Sequence, residues 1–158
     1  MPQPIHSRLI NTAARQILTP FGLHQKGQSR LWFDDHGWWL ILVEFQPDNR
    51  KQGTYLNIGI NWLWFDRNYF AYDMGGRTGS FVAFETEELF NNDLQKIGNG
   101  AVEQVKRYRQ KFPSIESVAR DLAGKWRKDN WDLYHAGMAC ALCGKKSQAI
   151  KFFNELTK

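Results

Sequence analysis

Several segments of this chain carry side chains able to bind a ligand or move a proton, and the clearest is GTYLNIGINWLWF (residues 53–65). Its first ten positions alternate between apolar and more polar residues. Successive side chains of a β-strand point to opposite faces, so the segment is predicted to be a half-buried strand. The more polar face carries Tyr55, Asn57, Gly59 and Asn61. Carboxamides, a phenol and a bare glycine suit a shallow recess for a ligand or peptide.

The pairing of this strand with its neighbour adds two residues to that face. Residues 38–46 and 54–64 are predicted to pair as a hairpin, and the apolar side chains match when Phe45 lies opposite Leu56. This register places Glu44 beside Asn57 and Gln46 beside Tyr55. The predicted ligand or partner site consists of Glu44, Gln46, Tyr55, Asn57 and Asn61. The alternative is that terminal helices cover this face and the amides satisfy backbone groups. This alternative is favoured, because buried polar groups usually have structural hydrogen-bond partners.

Three other segments carry chemistry-bearing residues but favour structural interpretations. Cys140 and Cys143 form a C-x-x-C at the end of a predicted helix, where the helix dipole opposes a thiolate, so packing is favoured over redox or metal chemistry. DDHG (residues 34–37) offers two carboxylates and an imidazole, yet Asp and Gly are also what a tight turn requires. MGGRTGS (residues 74–80) is predicted to be a flexible connection, because it lacks the Gly-Lys-Ser/Thr ending of a nucleotide loop. No nucleophile lies beside a base, so no catalytic residue, metal or cofactor is predicted.

Basic residues cluster in the C-terminal third of the chain, and the net charge of +5 favours an acidic partner. A helix predicted at residues 101–112 carries four of them mostly on one side. These are Lys106, Arg107, Arg109 and Lys111. Such a stripe suits phosphates, although solvated helix faces have the same composition. Nucleic-acid binding by these residues is therefore the alternative to protein binding.

The order of elements predicts an α+β fold with an N-terminal helix, an antiparallel β-meander and a helical C-terminal third. The first helix covers residues 4–18, and strands follow at 30–34, 38–46 and 54–64. Residues 67–84 are predicted to form two weaker strands around GGRTGS. Helices are predicted at 86–94 and 101–112, separated by a break at GNG, and then at 115–127, followed by two more. We expect a single domain over residues 1–158, with a helix-and-sheet portion to 98 and a helical portion from 99.

Length and composition indicate a globular protein with its own core. The chain has 158 residues, of which 15% are aromatic, enough for a full aromatic-rich core. It has no apolar run of membrane-spanning length and no secretory signal, and its two cysteines agree with a reducing compartment. A cytoplasmic protein with no membrane partner is predicted.

Four short segments resemble a known bacterial family. In order they are FGLHQKG, LWF, VEFQ and LNIGI, and they resemble the family catalogued as domain of unknown function 4304. The matching positions are Gly22, Leu23, Lys26, Gly27, Phe33, Phe45, Gln46, Asn57 and Gly59. The resemblance covers residues 5–60 and implies a fold but no activity, because none is established for the family. It gives Gln46 and Asn57 added weight.

The leading hypothesis for function is a non-catalytic binding module whose partner is a protein. An acidic protein is one such partner. A nucleic-acid-binding protein is the alternative. An enzyme with a carboxylate-based site, either Glu44 or the turn at residues 34–36, is the weakest. Enzymatic activity is undecided on sequence, with a non-enzyme favoured.

Overall fold

The computed structural model describes residues 3–158 and confirms the α+β class. Helix α1 (Ile5–Leu18) comes first and is followed by a short 3₁₀ turn, Thr19–Phe21. The strands are β1 (His24–Gln25), β2 (Leu31–Asp35), β3 (Trp39–Gln46), β4 (Gly53–Trp62) and β5 (Met74–Ala83). The later helices are α2 (Glu87–Lys111), α3 (Ile115–Gly124), α4 (Asn130–Leu142) and α5 (Lys146–Leu156).

The chain forms two compact units. The first extends to Lys106 and holds α1, the sheet and most of α2, while Arg107–Lys158 form the second, with the end of α2 and helices α3 to α5. The boundary therefore falls inside a helix rather than near residue 98. That the chain is a single domain stays a prediction.

The five strands form one sheet in the order β1-β2-β3-β4-β5, with every neighbouring pair antiparallel. The predicted meander is confirmed. The predicted hairpin register is confirmed as well, since Phe45 pairs with Leu56 and Glu44 with Asn57. Alternation alone found this register because a slip of one residue would have moved an amide into the apolar face.

The apolar face of the sheet forms the core of the first unit. Its buried side chains on the two central strands are Trp39, Ile41, Val43, Phe45, Leu56, Ile58, Ile60 and Trp62. Helix α1 contacts β4 and buries its own apolar stripe. Helix α2 lies close to α1, because a Cβ built on Gly98 would lie only 2.5 Å from Ile17 Cδ1. The opposite face is largely buried as well, so the prediction that β4 is half-buried is wrong: nine of its ten residues are buried, on both faces. On that opposite face only Glu44, Gln46 and Tyr55 of β3 and β4 stay partly exposed.

Two predictions about glycine-containing segments are wrong. The break expected at GNG is absent, because α2 runs as one helix through Gly98 and Gly100. Gly98 is a point of close helix packing rather than a helix end. The connection expected at MGGRTGS is instead part of β5, and β5 replaces the two strands predicted over residues 67–84. Pairing with β4 outweighs the low strand propensity of these glycines, and Gly75, Gly76 and Gly79 supply the positive φ angles of an irregular strand.

Side-chain caps define the helices of the second unit. The predicted cap Ser114 accepts a hydrogen bond from Ser117 N at 3.2 Å, and the Ser117 hydroxyl accepts one from Ser114 N in return. Asp129 and Asp132 form the same reciprocal pair at the start of α4. Helix α3 ends at Gly124, three residues before the predicted end at Arg127. The segment between α3 and α4 is therefore free to form a short exposed connection.

Candidate functional site

Three of the predicted site residues form a hydrogen-bonded cluster on adjacent strands. Asn57 Nδ2 donates to Glu44 Oε2 at 3.0 Å and to Gln46 Oε1 at 2.8 Å. Asn57 is only 6% exposed, whereas Glu44 and Gln46 are half-buried. The amide thus links a carboxylate and a second amide across the sheet. Glu44, Gln46 and Asn57 form this polar cluster, and all three are among the five residues that the sequence predicts for the site.

The strand β5 adds an arginine from the segment MGGRTGS, which the sequence predicts to be a flexible connection. Arg77 lies opposite Asn57 in the β4–β5 register, and its Nη2 donates to Gln46 Oε1 at 2.9 Å. Its guanidinium carbon lies 3.8 Å from the centre of the Tyr55 ring, within the range of a cation–π contact. Tyr55 therefore joins the polar cluster through Arg77. Interpreting MGGRTGS as a strand would have predicted this position.

The connection between β4 and β5, residues 63–73, covers part of the polar face. Tyr72 donates its hydroxyl to Glu44 Oε2 at 3.2 Å, and Phe70 packs edge-on against Phe33 with ring centres 6.1 Å apart. Burial raises the pKa of Tyr72 well above its usual value, and the charge and hydrogen bond of Glu44 raise it further. Terminal helices are the cover that the sequence suggests for this face, but these contacts come from the β4–β5 connection.

The raised pKa of Tyr72 predicts a loss of stability at alkaline pH. The folded state keeps a phenol proton that the unfolded chain releases above pH ~10, so the free energy of unfolding should fall as pH rises past that point. Urea unfolding from about pH 9 to about pH 11 should show a steeper decline for the natural chain than for Tyr72→Phe. Tyr134→Phe, which leaves the Glu44 contact in place, is the control. Parallel declines in the natural chain and Tyr72→Phe would contradict the prediction.

Asn61, the fifth predicted residue, lies in a second network. Its Nδ2 donates to Trp62 O at 3.1 Å and to Asp73 Oδ2 at 3.3 Å, and its Oδ1 accepts from Ala71 N at 3.3 Å. Asp73 Oδ2 also accepts from Trp62 N at 2.8 Å and from Arg67 Nη2. Asn61 is 2% exposed. Its contacts anchor residues 63–73 to β4, and the structure does not bring it to the polar cluster.

An open cleft of about 370 Å³ lies beside this connection. Its walls include three aromatic rings, Phe65, Tyr69 and Phe70, and two cationic side chains, Lys26 and Arg67. Lys26 Nζ lies 4.6 Å from the centre of the Phe70 ring, and the Arg67 guanidinium carbon lies 5.4 Å from that of Phe65. The cations are thus already stacked on the rings that would contact a ligand.

The turn at residues 34–37 combines the structural interpretation with a carboxylate–imidazole pair. Asp35 Oδ1 accepts from Gly37 N at 2.8 Å, which is the turn interaction that the sequence favours. His36 Nε2 lies 2.7 Å from Asp34 Oδ2, and its ring stacks on Trp39 at 4.4 Å. Across residues 3–158, no three His, Cys, Asp or Glu side chains come together as metal ligands.

The two cysteines are free thiols at the end of α4. Cys140 is buried in the last turn, and Cys143 directs its thiol to the Cys140 carbonyl oxygen at 3.5 Å. Burial raises the pKa of the Cys140 thiol, the neighbouring Cys143 raises it further, and Lys145 partly opposes both. A raised pKa lowers the thiolate fraction and agrees with a packing role.

The basic stripe predicted on α2 is partly neutralised. Lys106 Nζ lies 2.7 Å from Glu103 Oε1, and Lys111 Nζ lies 2.9 Å from Asp121 Oδ1. Of the remaining two, Arg107 is exposed and Arg109 is half-buried. Two of the four cations predicted to contact phosphates therefore already have carboxylate partners.

The outer edge of the sheet is formed by β5. Within residues 3–158 this strand pairs only with β4, so its other side presents free backbone donors and acceptors. None of its ten residues is buried, and Arg77 is its one charged residue. The opposite edge strand, β1, has only two residues. A long, exposed edge therefore lies directly beside the polar cluster.

These features define an α+β protein with a five-stranded antiparallel meander, a partly covered polar face and an exposed edge strand. A scan of protein-family models, a search of curated proteins and a search of solved structures each found no match to the chain. The resemblance to the bacterial family of unknown function stays a prediction. Among the helices of residues 3–158, none has both the length and the apolar character needed to span a membrane.

Proposed function

We propose that this protein is a non-catalytic binding module that takes up an extended segment of a protein partner as a sixth strand along β5. The observation that carries the proposal is the exposure of β5, which is ten residues long and paired on one side among the described residues. Natural sheets protect such edges with lysine, proline, bulges or short strands, and β5 is long and has no lysine or proline. Its register irregularity lies at residues 79–81, so residues 74–78 pair regularly with β4. An edge of this kind is where β-strand addition occurs.

The composition of β5 favours a second backbone beside it. Gly75, Gly76 and Gly79 leave part of the edge without bulky side chains, so another strand can approach closely. Backbone hydrogen bonds of this kind give affinity with little sequence preference. Selectivity then depends on side chains that lie along the new pair.

The side chains next to β5 favour an acidic partner segment. Arg77 is exposed and held in place by Gln46 and Tyr55, so its cation is positioned before a partner binds. Lys51 Nζ adds a second positive charge 6.0 Å from the centre of the Phe81 ring. Carboxylates of the partner would meet these cations, and Tyr55 and Phe81 would supply apolar contacts. The proposal places the protein in the cytoplasm, which its two free thiols support.

Site-specific photocrosslinking tests the proposal. A photoreactive residue replaces Ser80 on β5 in one sample and Arg8 on α1 in a control sample, each in the full-length chain in cells of the source organism. We expect a protein crosslinked through Ser80 but not through Arg8. A synthetic peptide from that protein should then slow amide exchange along β5. Capture through neither position, or binding without protection of β5, would contradict the proposal.

Charge reversal at Arg77 gives a quantitative prediction for that peptide. Arg77→Glu should weaken binding at least ~10-fold, because a charge-assisted contact contributes about 1.5–3 kcal/mol and becomes a repulsion. Arg8→Glu makes the same change in net charge on an exposed part of α1 and should leave affinity within about twofold. Titration calorimetry measures both. Equal losses for the two variants would show that net charge, and not the β5 site, governs binding.

A further inference from the structure

The connection between α3 and α4 presents a tryptophan almost entirely to solvent. Trp126 is 93% exposed, and the residues around it are Lys125, Arg127 and Lys128. Trp131, in the first turn of α4, is 52% exposed and stacks on His135 with ring centres 5.7 Å apart. Tryptophan normally buries most of its large surface, so an almost fully exposed indole whose sequence neighbours are cations is a candidate for contact with a ligand.

Positive charge is concentrated in the unit that carries this tryptophan. Residues 107–158 contain eleven Lys and Arg against five Asp and Glu, a formal charge of +6. Residues 1–106 contain ten Lys and Arg against eleven Asp and Glu, a formal charge of −1. The excess of positive charge, which favours binding of a polyanion, therefore lies in the second unit.

The cations beside Trp126 differ in their availability. Lys125 Nζ forms an ion pair with Asp132 Oδ2 at 2.6 Å. Lys128 Nζ lies 5.4 Å from the centre of the Phe152 ring. Arg127 is exposed and forms no ion pair or hydrogen bond with its side chain among the described residues. Its guanidinium is thus free to contact a phosphate, one residue along the chain from the exposed indole.

We propose that Trp126 and Arg127 form a binding site for single-stranded nucleic acid, in which a base stacks on the indole and a phosphate pairs with the guanidinium. Aromatic rings among cations are the features by which proteins hold single strands without sequence preference. A membrane surface is disfavoured because residues 127–130 that follow Trp126 are charged or polar, and interfacial binding requires a continuous apolar face. This site is in the second unit and is independent of the β5 proposal.

Fluorescence anisotropy with labelled oligothymidine of about 20 nucleotides, longer than usual single-strand sites, tests the inference. We expect binding at low salt that weakens steeply as salt rises. Trp126→Ala should weaken binding ~10-fold or more, and Trp126→Phe, which keeps a stacking ring, should retain most of it. Arg127→Ala should weaken binding and reduce the salt dependence by about one phosphate.

Matched controls make the result decisive. Lys151→Ala removes an exposed cation of α5, and Leu142→Ala removes an exposed apolar side chain of α4. Both should bind oligothymidine within about twofold of the natural chain. Absence of binding at low salt, equal binding by Trp126→Ala, or tighter binding to phosphatidylserine vesicles than to oligothymidine would each overturn the proposal. Because Trp126 is exposed, Trp126→Ala should keep the natural circular dichroism spectrum.

Discussion

Replacing Asp73 with alanine is expected to lower the free energy of unfolding by about 3–5 kcal/mol. Asp73 Oδ2 accepts hydrogen bonds from Trp62 N, Asn61 Nδ2 and Arg67 Nη2. The side chains of both ion-pair partners, Asp73 and Arg67, are more than nine-tenths buried. Removing the carboxylate leaves a buried guanidinium without its counter-charge and takes the Asp73 acceptor from Trp62 N, while Asn61 Nδ2 keeps its bond to Trp62 O. Loss of one partner is the most damaging change for a buried ion pair.

Two further variants separate the parts of this effect. Asp66→Ala removes an exposed carboxylate from the same connection and should change stability by less than about 0.5 kcal/mol. Asp73→Asn keeps the side-chain size and one acceptor but loses the charge. Its loss of stability should therefore lie between those of Asp66→Ala and Asp73→Ala. Urea unfolding followed by circular dichroism measures all three. A loss below about 1 kcal/mol for Asp73→Ala would show that water replaces the carboxylate and that the network does not hold residues 63–73 in place.

The polar cluster occupies one oxygen of Glu44, which is one of the two carboxylate sites considered from the sequence for an enzyme. A general base needs a free lone pair that faces substrate. Glu44 Oε2 instead accepts from both Asn57 Nδ2 and the Tyr72 hydroxyl. These contacts link β3, β4 and the β4–β5 connection. Gln46 Oε1, which accepts hydrogen bonds from Asn57 and Arg77, links them to β5 as well. The proposed role of the cluster is to hold the edge strand in a form ready for a partner.

The central hairpin could be predicted from the sequence because its pattern was local and had only one acceptable register. Asn57 would have entered the apolar face in any one-residue slip, so alternation placed Glu44 and Gln46 beside the correct neighbours. Arg77 and Tyr72 escaped prediction for the opposite reason. Their segment lacks regular alternation, and their contacts with Gln46 and Glu44 span 31 and 28 residues of chain.

Glycine caused the largest errors in element boundaries. A glycine indicates a turn or helix end when its positive φ is what the chain needs, and GNG and MGGRTGS both suggested such ends. Gly98 instead gives α2 room to approach α1, and the glycines of β5 accompany a register irregularity opposite β4. Sequence alone does not distinguish a glycine required for backbone conformation from one required for close packing, because the neighbour is distant in the chain.

Gly59 is the position where that distinction predicts a large effect. A Cβ at this residue would lie 2.2 Å from the Met74 carbonyl oxygen and 2.9 Å from Tyr72 Cδ1. Real Cβ atoms do not approach a backbone oxygen so closely. The start of β5, which pairs with Gly59 and Ile60 of β4, must therefore move. Gly59→Ala should therefore cost about 3 kcal/mol, at the upper end for an overpacked site. It should also loosen the Tyr72 contact with Glu44.

Gly100→Ala is the matched control, because Gly100 is exposed within α2 and a Cβ there would meet no atom within 4 Å. That variant should gain about 0.5–1 kcal/mol from helix propensity, so the two alanines should shift stability in opposite directions. Urea unfolding measures the difference, and amide exchange locates it, with faster exchange expected near Met74 only in Gly59→Ala. A Gly59→Ala variant as stable as the natural chain would mean that β5 moves away from β4 at little cost, in which case the edge is not held ready for a partner.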